Sequence, residues 1–326
     1  MKVCVAGLGA VGGLVAARLA RAGHDVSALA RGATLAAVRE RGLGLTESDG
    51  RQHRVRLNVA ERADQLHTPE LLIIAFKAQV LAESAPSLAP LLGAHTVLLP
   101  LMNGVPWWFL QPDDPQPLTS VDPHGAIART LPLARTLGAV VHLTCVASAP
   151  GQVHHGFGER LIVGERDGID SERLRSVAAA LASAGFTVER SGNIRRDIWF
   201  KLWGNMTTNP VSALTGAACD AILDDPLVRA FMARGMSQAR SIGERIGCPI
   251  EQTPEQRMDV TRQLGAFKTS MLVDAERGRV LELDALVGAV REIGARVGVP
   301  TPDIDALHGL ARLMDATRHA APPAAS

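Results

Sequence analysis

The chain has 326 residues, long enough for two domains. It is 47% apolar and 21% charged, with a formal net charge of +1, which gives no electrostatic footprint for nucleic acid or a membrane surface. No apolar stretch approaches the roughly 20 residues of a membrane span, and Met1-Lys2 runs directly into an apolar segment, so no signal peptide is expected.

Residues 1–6 form a short apolar run, followed at once by Gly7-Leu8-Gly9-Ala10-Val11-Gly12. Val15, Ala16, Leu19 and Ala20 then mark one face of a helix that ends at Gly23. Strand, Gly-x-Gly-x-x-Gly turn and helix is the layout that sets a pyrophosphate on a helix N-terminus. The cofactor-binding candidates here are Gly7, Leu8, Gly9, Ala10, Val11 and Gly12. The second strand, His24 to Ala30, ends at Arg31 rather than at an acidic residue. A guanidinium has no use for a ribose 2′-hydroxyl but suits a 2′-phosphate, so NADPH is expected over NADH.

Glu70–Phe76, Thr96–Leu101 and Gly138–Thr144 read as further buried strands. Their alternation with helical stretches argues for a doubly wound α/β sheet up to about residue 165. In such sheets the ligand crevice lies beyond the carboxyl ends of the strands. Lys77 and Asn103 fall at that edge. From about Ile194 the pattern becomes helical. Asp225-Pro226 and Thr253-Pro254 are helix starts, Gly247 and Gly298 are stops, and the segments 226–246, 254–277 and 282–297 read as long amphipathic helices. The expected architecture is α/β plus all-α: a Rossmann domain over 1–190 and a helical catalytic domain over 191–326. The tail from Ala320 to Ser326 is expected to fray.

The helical half carries a polar constellation. In Ile194–Pro210, Lys201 and Asn205 share a helix face and Asn209 follows one turn on, amid Trp199, Phe200, Leu202, Trp203 and Met206. A helix buried in this way keeps a lysine and two asparagines only if something satisfies them. A snorkelling lysine and asparagines capping the helix before Pro210 would also account for the segment. Ser270 places a hydroxyl in the interior of a long helix, and Glu282 a carboxylate at the start of the next, where it could simply complement the helix dipole.

These blocks together resemble the ketopantoate reductase family, the NADPH-dependent 2-dehydropantoate 2-reductases. The likeness runs from Gly7-x-Gly9-x-x-Gly12 and Arg31 through Phe76-Lys77-Ala78 and Asn103-Gly104. It continues in Lys201-Leu-x-x-Asn205-x-x-x-Asn209-Pro210, Ser270-Met271-Leu-x-Asp274 and Glu282-x-Asp284. The resemblance implies a Rossmann domain joined to a helical one, with the site in the cleft between them. It implies that Lys201 is the general acid and that Glu282 pairs with it or orients the substrate. It also implies that Asn205, Asn209 and Ser270 bind the substrate's hydroxyl and carboxylate. Lys77 and Asn103 would stand on the Rossmann side, where cofactor and substrate meet. A cytoplasmic enzyme acting on a small 2-oxo acid follows, and family members are often homodimers.

After Asn103-Gly104 the chain departs from the family pattern with Val105-Pro106-Trp107-Trp108-Phe109-Leu110 and a proline-rich loop. The two tryptophans either narrow the substrate site or pack the inserted segment. A paralogous reductase of another 2-oxo acid therefore stays open. A non-catalytic NADPH sensor is the lesser alternative, because every member of the lysine–asparagine constellation is present. His154-His155 reads as part of a Gly/His loop. Cys4, Cys145, Cys219 and Cys248 show no metal-ligand or CxxC spacing and read as reduced thiols, and no His/Asp/Glu cluster suggests a metal.

Overall fold

The structure, a computed structural model, describes residues 1–111 and 113–320; of the tail expected to fray, Ala320 closes the last helix and 321–326 lie outside the described residues. The chain forms two compact units. One comprises Met1–Met102 with Gly125–Asp197, the other Asn103–His124 with the chain from Ile198 onward.

The first unit is built on β1 (Lys2–Ala6), α1 (Ala10–Arg21), β2 (Asp25–Leu29), α2 (Gly32–Arg41), β3 (Leu43–Thr46), β4 (Gln52–Val55) and β5 (Asn58–Ala60). It continues with β6 (Leu71–Ile74), α3 (Ala78–Ser84), β7 (Val97–Pro100), α4 (Ala126–Thr130), β8 (Gly138–His142), β9 (Cys145–Ala149), β10 (Gln152–His155), β11 (Arg160–Gly164), α5 (Glu172–Ser183) and β12 (Thr187–Arg190). Its main sheet has the order β5-β2-β1-β6-β7, with every pairing parallel. This is a doubly wound sheet, and its order reverses between β1 and β6. The β1 residues Val3 to Ala6 and all of β6 are fully buried, as parallel strands covered on both faces must be.

Two smaller sheets complete the unit, in the orders β4-β3-β10-β9 and β12-β11-β8. The run expected as another strand of the doubly wound alternation, Gly138–Thr144, is instead β8, paired antiparallel to β11 in the smallest sheet. A continuous apolar run marks burial, not the sheet a strand joins.

His154 and His155 belong to strand β10, not to a loop. His155 is buried with Arg18 and Glu47. Arg18 Nη2 donates to Glu47 Oε2 at 2.6 Å and lies 3.1 Å from His155 Nδ1. The Gly158 carbonyl, 2.6 Å from His155 Nε2, can only accept, so Nε2 carries a proton, while Nδ1 faces Arg18 and, at 3.3 Å, Glu47 Oε2. This network ties the far end of α1 to β10.

The second unit is helical: α6 (Ile194–Thr215, entering at Ile198), α7 (Cys219–Asp224), α8 (Pro226–Arg245), α9 (Pro254–Arg262), α10 (Ser270–Glu276), α11 (Ala289–Arg296, preceded by a π-turn at Asp284–Gly288) and α12 (Pro302–Ala320). The Asp225 carboxylate caps α8 by accepting from the Leu227 and Val228 amides, and Thr253 with Gln256 forms a capping box on α9. The expected helix over 254–277 is broken: α9 ends at Arg262 and α10 starts at Ser270 with Thr269 as its N-cap. Gly265, at φ +76°, and the capping hydroxyl of Thr269 account for the interruption. Ser270 is therefore the first residue of a short helix, not an interior one. Nor does Asn209 cap a helix end, since α6 continues through Pro210 to Thr215.

Candidate active site

In the first unit the chain turns at Gly7, whose φ of +102° suits only glycine. It stands against the Ala75 backbone and the Phe76 ring just beyond β6, where a Cβ would meet Phe76 Cδ1 at 2.8 Å. A Cβ on Gly12 would lie 2.0 Å from the Gly7 carbonyl oxygen, so α1 can leave the turn this closely only with glycine there. Gly9 has the opposite surroundings: a Cβ there would meet nothing within 4 Å. Gly9 is the N-cap of the twelve-residue α1 and gives it no side-chain cap, so the first-turn amides stay available to an anion. Closed under Gly12 and open over Gly9, at the reversal of strand order, this turn fits a dinucleotide pyrophosphate. Arg31 follows β2, exposed at the N-cap of α2, and its guanidinium has no ion pair among the described residues. Lys77 is the N-cap residue of α3, beyond β6.

In the second unit Lys201 projects from α6 and its Nζ donates to Asn103 Oδ1 at 2.9 Å. An ammonium only donates, so the carboxamide must present its oxygen. Burial pushes the Lys201 pKa down to about 8, and the negative charge of Glu282 works in the opposite direction. Glu282 is itself buried. The site thus contains a cation whose proton is loosened by lost hydration and partly held by a carboxylate.

Asn103 was expected on the Rossmann side, but its contacts place it with the helical unit. Asn205 and Asn209 continue the Lys201 face, and neither side chain hydrogen-bonds among the described residues, although Asn209 is only 6% exposed. The Ser270 side chain is exposed.

The segment following Asn103 is held firmly. The Val105 amide donates to the Ala285 carbonyl at 2.9 Å, and a Cβ on Gly104 would strike that carbonyl oxygen at 2.5 Å. Trp107, Trp108 and Phe109 are buried to 2% exposure or less, and Phe109 stacks on Trp199 at 5.8 Å between ring centres. The tryptophans pack the inserted segment. Farther along, Glu292 accepts from the Thr119 and Ser120 amides and the Ser120 hydroxyl at 2.7–2.9 Å. Arg296 donates to Asp114, to the Gln116 and Pro117 carbonyls and to Glu292. Burial works to raise the Glu292 pKa, but these donors hold it below the usual carboxylate value. Nothing in the spacing of Glu292 and Arg296 distinguishes them from an ordinary i,i+4 surface pair, so the sequence reading missed this clamp.

The sequence profile described as Ketopantoate reductase PanE/ApbA matches residues 3–168, and that of the family's C-terminal part matches residues 193–315. The chain belongs to the ketopantoate reductase family. Its members are dinucleotide-binding oxidoreductases.

A 2-dehydropantoate 2-reductase from Mesorhizobium japonicum is 41% identical over 323 residues, covering 98% of this chain and 99% of the relative. The crystal structure of a protein from Ralstonia solanacearum MolK2, provisionally assigned as a ketopantoate reductase, is 55% identical with a TM-score of 0.94 over 98% of each chain. At 19% identity, a likeness of fold alone, the ternary structure of D-mandelate dehydrogenase with NADH and anilino(oxo)acetate has a TM-score of 0.85, covering 98% of this chain and 99% of that one. Among the described residues, no helix of this ketopantoate reductase family member is long and apolar enough to cross a membrane.

Proposed function

We propose that this protein reduces 2-dehydropantoate to pantoate with NADPH, Lys201 serving as the general acid. The first unit would bind the dinucleotide, and the second, which includes Asn103, would carry the catalytic groups. NADPH, when bound, supplies the hydride that reduces the 2-keto carbon. The Gly7–Gly12 turn receives its pyrophosphate, and Arg31 meets the 2′-phosphate. Lys77 contributes a second cation on that side.

As the ketone carbon becomes tetrahedral, negative charge develops on its oxygen. Lys201 Nζ stabilises that charge and then gives up a proton to it, which completes the hydroxyl. Solvent returns the proton to the amine. A pKa near 8 leaves the group mostly protonated at neutral pH while easing release, and Glu282 keeps it from falling further. Asn103 fixes the direction of the ammonium. Asn205, Asn209 and Ser270 hydrogen-bond the substrate's hydroxyl and carboxylate; the two asparagines have no competing partner among the described residues.

The observation that carries this reading is the desolvated Lys201 held by Asn103 under the influence of Glu282. Burial of Trp107 and Trp108 removes the main reason to favour a bulkier substrate. The free thiols of all four cysteines suit a cytoplasmic setting. Assembly as a homodimer follows the family habit, and sedimentation equilibrium tests it.

Initial rates of NADPH oxidation with 2-dehydropantoate, beside 2-oxo acids lacking its hydroxyl or branched carbon, test the substrate. A clear preference for 2-dehydropantoate supports the reading. Activity confined to the other acids replaces it with that of a paralogous reductase.

A further inference from the structure

In an α-helix each amide takes the carbonyl four residues back. At the entry to α11 the Ala289 amide reaches five back, to the Asp284 carbonyl, and Asp284–Gly288 forms a π-turn. The Ala285 carbonyl, which an α-helix would have given to Ala289, accepts from the Val105 amide at 2.9 Å. Ala285 is buried, so a carbonyl turned out of the helical ladder there needs such a donor. The extra residue of the π-turn thus has a visible use. It presents a backbone acceptor to the segment that follows β7.

Gly104 supplies a second, independent observation. Its φ is +85°, and a Cβ would lie 2.5 Å from the Ala285 oxygen, 2.7 Å from the carbonyl carbon and 2.8 Å from Ala285 Cβ. The two stretches of backbone can lie this close only with glycine at 104. The Leu286 amide donates to the Glu282 carbonyl at 3.3 Å, which ties Glu282 into the same turn. Asn103 is therefore adjacent to one end of the contact, and Glu282 is three residues from the other. Both act on Lys201: Asn103 Oδ1 accepts from Nζ at 2.9 Å, and the Glu282 charge opposes loss of the proton.

We propose that the π-turn at Asp284–Gly288 is a positioning element for the Lys201 amine, holding Asn103 and Glu282 in fixed register through the Gly104–Ala285 contact. The direction of the ammonium and the charge that acts on it are then set together. The Asn103 oxygen takes one N–H of the ammonium, which leaves the others to face a ketone oxygen. A plain α-helical start would hold Glu282 alone, because its first carbonyls are all used inside the helix. The assignment rests on the reading of Lys201 as proton donor, and Gly104 and Ala285 act through Asn103 and Glu282.

Two variants break the contact in different ways. Gly104→Ala pushes a Cβ into the Ala285 carbonyl. The α-hydroxy acid analogue of valine, incorporated at position 105, exchanges the amide for an ester and removes the donor alone. Each is compared with wild type by 13C NMR titration of labelled lysine, the Lys201 resonance being assigned by its loss in Lys201→Ala. The pH dependence of kcat with NADPH and ketopantoate is measured beside it. In both variants kcat is expected to fall by about 10- to 100-fold, the scale of a misplaced catalytic group. The Lys201 titration, and with it the falling limb of kcat, moves to lower pH by about half a unit or more. That direction follows because the Asn103 oxygen and the Glu282 charge both favour the ammonium. The ester variant keeps the test open if Gly104→Ala fails to fold.

A Lys201 titration that stays in place in the ester variant overturns the proposal, even if the melting temperature falls, by assigning the contact to packing alone. A titration that moves while kcat and its limb do not supports the positioning of the amine. It defeats instead the reading of Lys201 as proton donor.

Discussion

Lys201 Nζ donates to Asn103 Oδ1 at 2.9 Å, joining residues 98 positions apart in the chain. The bond ties the segment after β7 to α6 within the second unit. Its rigidity has visible causes: the backbone bond to Ala285, the buried Trp107-Trp108-Phe109 cluster and the Glu292–Arg296 clamp.

If Lys201 is the proton donor, removing its amine removes the general acid. Lys201→Ala is expected to lower kcat by about 10²- to 10⁴-fold, the usual contribution of a general acid. NADPH affinity, followed by fluorescence titration, is expected to stay near the wild-type value because the proposed phosphate-binding residues belong to the first unit.

Glu282 raises the Lys201 pKa against the pull of burial. Glu282→Gln is expected to move it below about 8. The chain has lysines only at positions 2, 77, 201 and 268, so each side chain can be followed separately by 13C NMR of labelled lysine. The Lys201 resonance is expected to titrate near 8 in wild type and lower in the variant.

The two glycines of the turn separate fold from binding. Gly12→Ala drives a Cβ into the Gly7 carbonyl and is expected to destabilise the protein by about 1–3 kcal/mol or more, measured by thermal or denaturant melting. Gly9→Ala has open space, so its melting is unchanged while NADPH binding weakens.

On the proposed reading, Arg31 sets the cofactor choice. Arg31→Ala is expected to raise KM for NADPH by about 10- to 100-fold and to leave KM for NADH nearly unaltered. Equal effects on both would remove the 2′-phosphate contact.

Trp108 is a packing residue. Trp108→Ala is expected to cost about 3–5 kcal/mol of stability, whereas Trp108→Phe leaves KM for the 2-oxo acid unchanged.

Local chemistry made much of this legible before any coordinates. The Gly7–Gly12 turn announces itself because each glycine answers a separate steric need, and Asp225-Pro226 and Thr253-Pro254 carry their caps in the residues themselves. The lysine–asparagine face of α6 is visible from 3.6-residue spacing alone. What stayed hidden depends on distant partners. β8 reads as buried, but only pairing with β11 takes it out of the main sheet. Asn103 reads as a strand-end residue until Lys201 binds it. The break between α9 and α10 turns on Gly265 and Thr269, either of which a helix could have absorbed alone.

The central claim is that a desolvated Lys201 delivers the proton, and the pH dependence of kcat for NADPH-driven ketopantoate reduction tests it most directly. The acid form is required, so kcat should be level through neutral pH and fall as pH rises through about 8, with the descending limb displaced to lower pH in Glu282→Gln. A kcat that stays level well past pH 9, or a limb that Glu282→Gln leaves in place, would contradict the account.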